Sequence, residues 1–122
     1  MTDAQAPVLD RTVLDELLAS VEGDRSFVAQ LVETYIGDGA TQLDQIDAAV
    51  ASGDPEALIR PAHTLKSSSA TVGAARLADL AGTLEQHARD GRSGDPASAD
   101  ALRAAWTDAT AALRAWLEHA AA

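Results

Sequence analysis

The fold turns on the stretch Asp54-Pro55-Glu56-Ala57-Leu58-Ile59-Arg60-Pro61-Ala62-His63-Thr64-Leu65-Lys66-Ser67-Ser68-Ser69-Ala70-Thr71-Val72-Gly73. It opens on a capping aspartate followed by proline at the first helical position, where a missing N–H costs nothing. It closes on glycine, the residue that most readily ends a helix. At about 100° per residue, Ala62, Leu65, Ser69 and Val72 all fall within roughly 40° of Leu58. That stripe predicts the core face of a helix running to about Thr71. Pro61 removes one backbone bond inside it, so a kink is expected there. On the same wheel His63 lies about 140° from Leu58, Lys66 about 80° and Ser67 about 180°. Ile59 and Ala70 share the outer sector with His63. The imidazole is therefore expected to point outward, with a cation one turn on and small residues beside it.

The chain on either side is punctuated in the same way. Asp10 can cap a first helix whose apolar side is Val13, Leu14, Leu17, Leu18 and Val21, ended by Gly23. Asp24 can cap a long second helix in which Phe27, Val28, Leu31, Val32, Tyr35, Ile36, Leu43, Ile46 and Val50 recur at helical spacing. Gly37 and Gly39 weaken that helix, each by about 1 kcal/mol relative to alanine, but the stripe keeps its phase past them. After Gly73 a fourth helix carries Leu77, Leu80, Ala81 and Leu84 and fades near Asp90-Gly91. Asp95-Pro96 starts a last helix with Leu102, Trp106, Ala109, Leu113 and Trp116 on one side, and both tryptophans read as packing residues. No strand signal competes. Short connections between long amphipathic helices predict an all-α, up-and-down antiparallel four-helix bundle with an additional short N-terminal helix.

With 122 residues the chain fits one domain. Hydrophobic residues make up 47% and aromatics 3%, a balance that suits close-packed helices over sheets. There is no cysteine, which excludes disulfides and thiol catalysis. No signal peptide and no membrane-length apolar run is visible, so a cytoplasmic location is expected, with no membrane partner. The net charge of −10 opposes nucleic-acid binding, which rests on cationic contacts to phosphate. Charge is uneven: residues 60–92 hold five Arg/Lys and three acids, leaving four bases and sixteen acids elsewhere. A weakly positive middle suits an acidic partner site, although chance clustering would look the same. His87 and His119 read as surface residues. No two histidines stand four apart and no Glu-x-x-His occurs, which excludes a di-iron bundle.

A helical histidine is ordinarily a surface or satisfied core residue. Three features set His63 apart. Lys66 is the chain's single lysine and sits at i+3, a mobile point charge suited to phosphate. The residues at i+4 and i+7, Ser67 and Ala70, leave room for another protein to approach. Ile59 puts an apolar side chain on a face that should be polar, as docking surfaces do.

The run Ala62-His63-Thr64-Leu65-Lys66-Ser67-Ser68-Ser69 followed by Val72-Gly73-Ala74 resembles the signature of histidine-containing phosphotransfer domains: a histidine, then Leu-Lys-Gly-Ser, then Gly-Ala. The resemblance covers about residues 9–119 and includes Leu84-Glu85 in the next helix. The chain has Ser67 where the family commonly has glycine; serine is still small, so docking is expected to survive, with a narrower set of partners. The resemblance implies residues 1–8 as a flexible N-terminus and 9–120 as the phosphotransfer domain. It implies a phosphorelay intermediate, not an enzyme in its own right. On this resemblance His63 would accept a phosphoryl group from a receiver-domain aspartate and pass it to another receiver; the alternative is a helical docking adaptor that is never phosphorylated. A histidine-kinase dimerisation domain would need an adjoining ATP-binding domain, for which the chain has no room. Lys66 would stabilise the phosphoryl oxygens, and Ile59, Ser67, Ser68 and Ala70 would form the docking surface. Ser67 and Ser68 are either donors to the phosphoryl group or spacers. Glu85 either orients the other ring nitrogen or pairs with Lys66 or Arg89. No metal or cofactor is assigned to this chain. Mg2+ is expected from the partner receiver, since no acidic cluster surrounds His63. Partners would be receiver domains of response regulators or hybrid histidine kinases, and the protein is expected to be a monomer. Its start at methionine reads as a free-standing shuttle; a fragment of a hybrid kinase would read the same.

Overall fold

A computed structural model describes residues 5–121, with side chains described up to His119. Five helices follow in order: α1 Arg11–Ser20, α2 Arg25–Ser52, α3 Pro55–Thr71, α4 Ala75–Arg89 and α5 Pro96–Ala121. No strand occurs among the described residues. The caps fall where the sequence puts them. Asp10, Asp24, Asp54 and Asp95 accept backbone N–H bonds from Thr12, Phe27, Ala57 and Ser98, each satisfying a first-turn donor that the helix itself leaves orphaned. α2 runs unbroken through Gly37 and Gly39, and α3 runs unbroken through Pro61.

α3 packs between α2 and α4, and α5 closes the ring against α2 and α4. This is the expected four-helix bundle, with α1 as the additional short helix lying on α2. The core is one cluster. Leu14 from α1, Val28, Val32, Leu43 and Ile46 from α2, Leu58 and Leu65 from α3, Leu77 and Leu84 from α4, and Leu102 and Leu113 from α5 all enter it. The full stripe of α3 expected in the core is buried: Leu58, Ala62, Leu65, Ser69 and Val72. Ser69 is the polar member, and its hydroxyl meets the Tyr35 hydroxyl of α2 at 2.7 Å, so neither oxygen is buried unpaired. Burial pushes the Tyr35 phenol up to about 12, against the pull of the Ser69 bond.

The turn after α3 is held by the chain's own beginning. Asp10 N–H donates to the Gly73 carbonyl at 2.7 Å, and Arg76 donates from its backbone to Pro7 and from Nε to Ala6. Gly73 has φ +82°, and a Cβ there would lie 2.6 Å from the Asp10 carbonyl oxygen. Only glycine fits both demands. Residues 1–4 of the expected flexible N-terminus lie outside the described residues. No helix among the described residues is long and apolar enough to cross a membrane.

Candidate functional site

With its core stripe turned inward, α3 presents His63 to solvent, and the side chain is 52% exposed. α4 lies alongside. Its Leu77, Ala81, Leu84 and Ala88 face the core, and Glu85, next in sequence to Leu84, turns toward α3. The Glu85 side chain is only 7% exposed, and a buried carboxylate must be paired to stay charged.

Three side chains pair it. His63 Nδ1 lies 3.0 Å from Oε2. Arg89, one turn further along α4, donates to the same oxygen from Nε at 2.9 Å, and its Nη2 stands 2.8 Å from that oxygen as an ion-pair contact. Lys66 Nζ stands 3.0 Å from Oε1. That last contact is short enough for an ion pair but lacks hydrogen-bond alignment, so Oε1 has no aligned donor among the described residues. Burial pushes the Glu85 carboxyl up, and the contacts from Lys66, Arg89 and His63 outweigh it, holding the group down at about 2. A carboxylate facing a ring nitrogen requires an N–H there, which fixes the tautomer. His63 therefore carries its proton on Nδ1 when neutral, and the Nε2 lone pair is left for solvent or a partner. No hydrogen bond among the described residues engages Nε2.

A depressed folded-state value means that Glu85 binds its proton more readily in the unfolded chain. Its stabilisation is present above the ordinary value of about 4.5 and is lost as pH falls toward about 2. Urea midpoints of the wild type and Glu85→Gln should therefore be furthest apart above pH 4.5 and converge near pH 2. A gap that stays constant across that window would show that Glu85 stabilises through shape, not charge.

The remaining expected site residues divide. A groove between α3 and α4 brings together Lys66, Ser67 and Ala70 with Ala78, Gly82 and Thr83. Ser67 and Ala70 are exposed there. Ser68 is half-buried, and its hydroxyl is spent on the Leu65 carbonyl at 3.4 Å. Ile59 is half-buried and packs partly against the core. Neither lines the groove. Arg89, expected only as an alternative partner of Glu85, holds it together with His63 and Lys66; the i to i+4 spacing was the available signal. His119 Nδ1 donates to the Ala115 carbonyl. Among the described residues no three His, Asp or Glu side chains gather as a metal site, and the one carboxylate beside His63 is already held by cations.

The Hpt domain family model matches residues 30–116. Among solved structures, the chain is similar to the histidine-containing phosphotransfer protein B (HptB) of Pseudomonas aeruginosa PAO1. The two are 29% identical with a TM-score of 0.82, over 93% of this chain and 97% of that one. No curated protein sequence matches.

Proposed function

Because the chain belongs to the Hpt domain family, whose role is phosphotransfer in two-component signalling, we propose that it relays phosphoryl groups on His63. A receiver domain phosphorylated on aspartate docks over α3 and α4, His63 takes the group, and a second receiver later removes it. The observation that carries this reading is an exposed imidazole whose Nδ1 is fixed on a buried carboxylate, 3.0 Å away.

The chemistry follows from that fixed tautomer. The Nε2 lone pair attacks phosphorus in line. An N–P bond forms, the P–O bond to the receiver aspartate breaks, and the carboxylate leaves with the bonding pair. The Nδ1 proton stays in place, so the phosphorylated ring is a cation, and Glu85 is the counter-charge that stabilises it. A buried carboxylate behind an attacking or accepting imidazole plays the same part in serine hydrolases. Phosphoryl transfer asks mainly for positioning and charge neutralisation. Lys66, half-exposed one turn from His63, supplies positive charge to the phosphoryl oxygens. Ser67 and Ala70 keep the approach open, with Ile59 and Ser68 at its margin. The residues around His63 do not fit a magnesium site, so the ion is assigned to the receiver. The partners are receiver domains of response regulators or hybrid kinases, met by a monomer in the cytoplasm. The acidic body, with net charge −10, disfavours nucleic acid.

The test is direct. Incubated with a receiver domain phosphorylated by acetyl phosphate, the protein should acquire acid-labile, alkali-stable phosphate. Absence of transfer to the wild type, across receivers that it binds, overturns the relay. Within the relay, Glu85→Gln should slow transfer by roughly tenfold or more, tenfold being the low end of the loss when the carboxylate partner of a metal-ligating histidine is removed. An unchanged rate would reduce Glu85 to a structural ion-pair partner.

A further inference from the structure

Lys66 is anchored to its helix but works across the next one. To reach Glu85 its stem must lie over α4, and the residue beneath that stem is Gly82. A Cβ built on Gly82 would stand 3.0 Å from Lys66 Cδ and 3.7 Å from Cγ. Ordinary carbon contacts fall at about 3.5–4.0 Å, so the nearer of these is too close. Gly82 and Glu85 are three apart on α4, neighbours on one helix face. A stem that crosses at Gly82 therefore delivers Nζ one turn on, at Oε1, 3.0 Å away.

We propose that Gly82 is a positioning residue for phosphoryl transfer: its missing side chain lets the Lys66 stem lie across α4, placing the ammonium at the carboxylate edge beside His63. The proposal rests on the reading of Lys66 as the phosphoryl-facing cation. Gly82 has no other evident reason to be there. It sits in the interior of α4, where glycine is a poor choice, and its backbone is not in the positive-φ region. It does not approach a neighbouring backbone. The atoms that a Cβ would meet belong to a flexible, half-exposed side chain. An alanine there would push the stem toward solvent and leave the helices where they are.

The prediction pairs two effects of opposite sign. Gly82→Ala should melt at the same temperature as the wild type or a few degrees higher, because alanine favours the helix. Transfer from a phosphorylated receiver should nevertheless slow by roughly three- to tenfold, a part of the loss expected when a charge-assisted contact is removed outright. In a Lys66→Ala background the same substitution should change transfer no further, since two residues acting through one contact are not additive. The Glu85 carboxyl, followed by carbon-13 NMR, should titrate higher in Gly82→Ala than its wild-type value of about 2. If that titration rises while Lys66→Ala leaves transfer unchanged, Gly82 does position Lys66, and the assigned role of Lys66 is what fails. If Glu85 titrates as in the wild type, or Gly82→Ala slows the Lys66→Ala protein by the same factor, the proposal is overturned.

Discussion

His63→Gln should abolish phosphoryl acceptance and leave the protein folded and able to bind receivers. The side chain is half-exposed and stands outside the core cluster, and surface changes away from core and caps ordinarily move stability by no more than about 0.5 kcal/mol. One local cost is foreseeable. Glu85 loses one of its three partners, while Arg89 and Lys66 remain to hold the carboxylate, so the melting temperature should fall by only a few degrees. Glutamine can keep a donor near Glu85 but has no nucleophilic ring nitrogen. The expected signature is thus a receiver-binding isotherm close to the wild type with no acid-labile phosphate on the protein. This separates the relay from a docking adaptor. If wild type and His63→Gln acquired equal phosphate, the acceptor would lie elsewhere in the chain. If His63→Gln supported signalling as well as the wild type, docking alone would be the function.

The outward aspect of His63 was legible because a helix repeats every 3.6 residues, and five buried positions of α3 fix which side is left for solvent. The aspartate-proline starts were legible for a similar reason: capping is local, and a short stretch of chain carries all of its chemistry. What periodicity does not encode is which side chain of one helix meets which of the next. Glu85 lies on α4 and stands 22 positions from His63. The resemblance left it with three candidate partners; packing gives it all three at once. Its burial was equally hidden, since the same residue type on the outer side of α4 would be an ordinary solvated acid. Ile59 shows the reverse limit. Its wheel position suggested a bare apolar surface, yet much of that surface is used against the core. The relation of Gly82 to Lys66 and of Gly73 to Asp10 depends on close approach of distant segments, and composition cannot distinguish these glycines from those that merely weaken a helix.

Gly37 and Gly39 make that distinction testable, because alanine should move stability in opposite directions at two positions of one helix. Gly37 is exposed, and nothing lies within 4 Å of where its Cβ would be. Alanine there should stabilise by up to about 1 kcal/mol through helix propensity. Gly39 is buried against α5, and its Cβ would fall 2.4 Å from both Cη2 and Cζ3 of Trp106. That ring is itself wedged, with its centroid 5.4 Å from that of Tyr35, and Tyr35 is tied to Ser69 of α3. A rigid indole cannot yield as a lysine stem can, so α2 and α5 must separate or the tryptophan must leave its rotamer. Overpacking of this kind costs about 1–3 kcal/mol, more than the propensity gain returns. Gly39→Ala should therefore melt several degrees below the wild type and Gly39→Val lower still, while Gly37→Ala melts above it. The loss should be specific to the indole: in a Trp106→Leu background, Gly39→Ala should cost much less, an interaction that a thermodynamic cycle measures. Two alanines shifting the midpoint the same way would show that α2 tolerates a side chain at Gly39, and that the approach of Trp106 does not constrain the bundle.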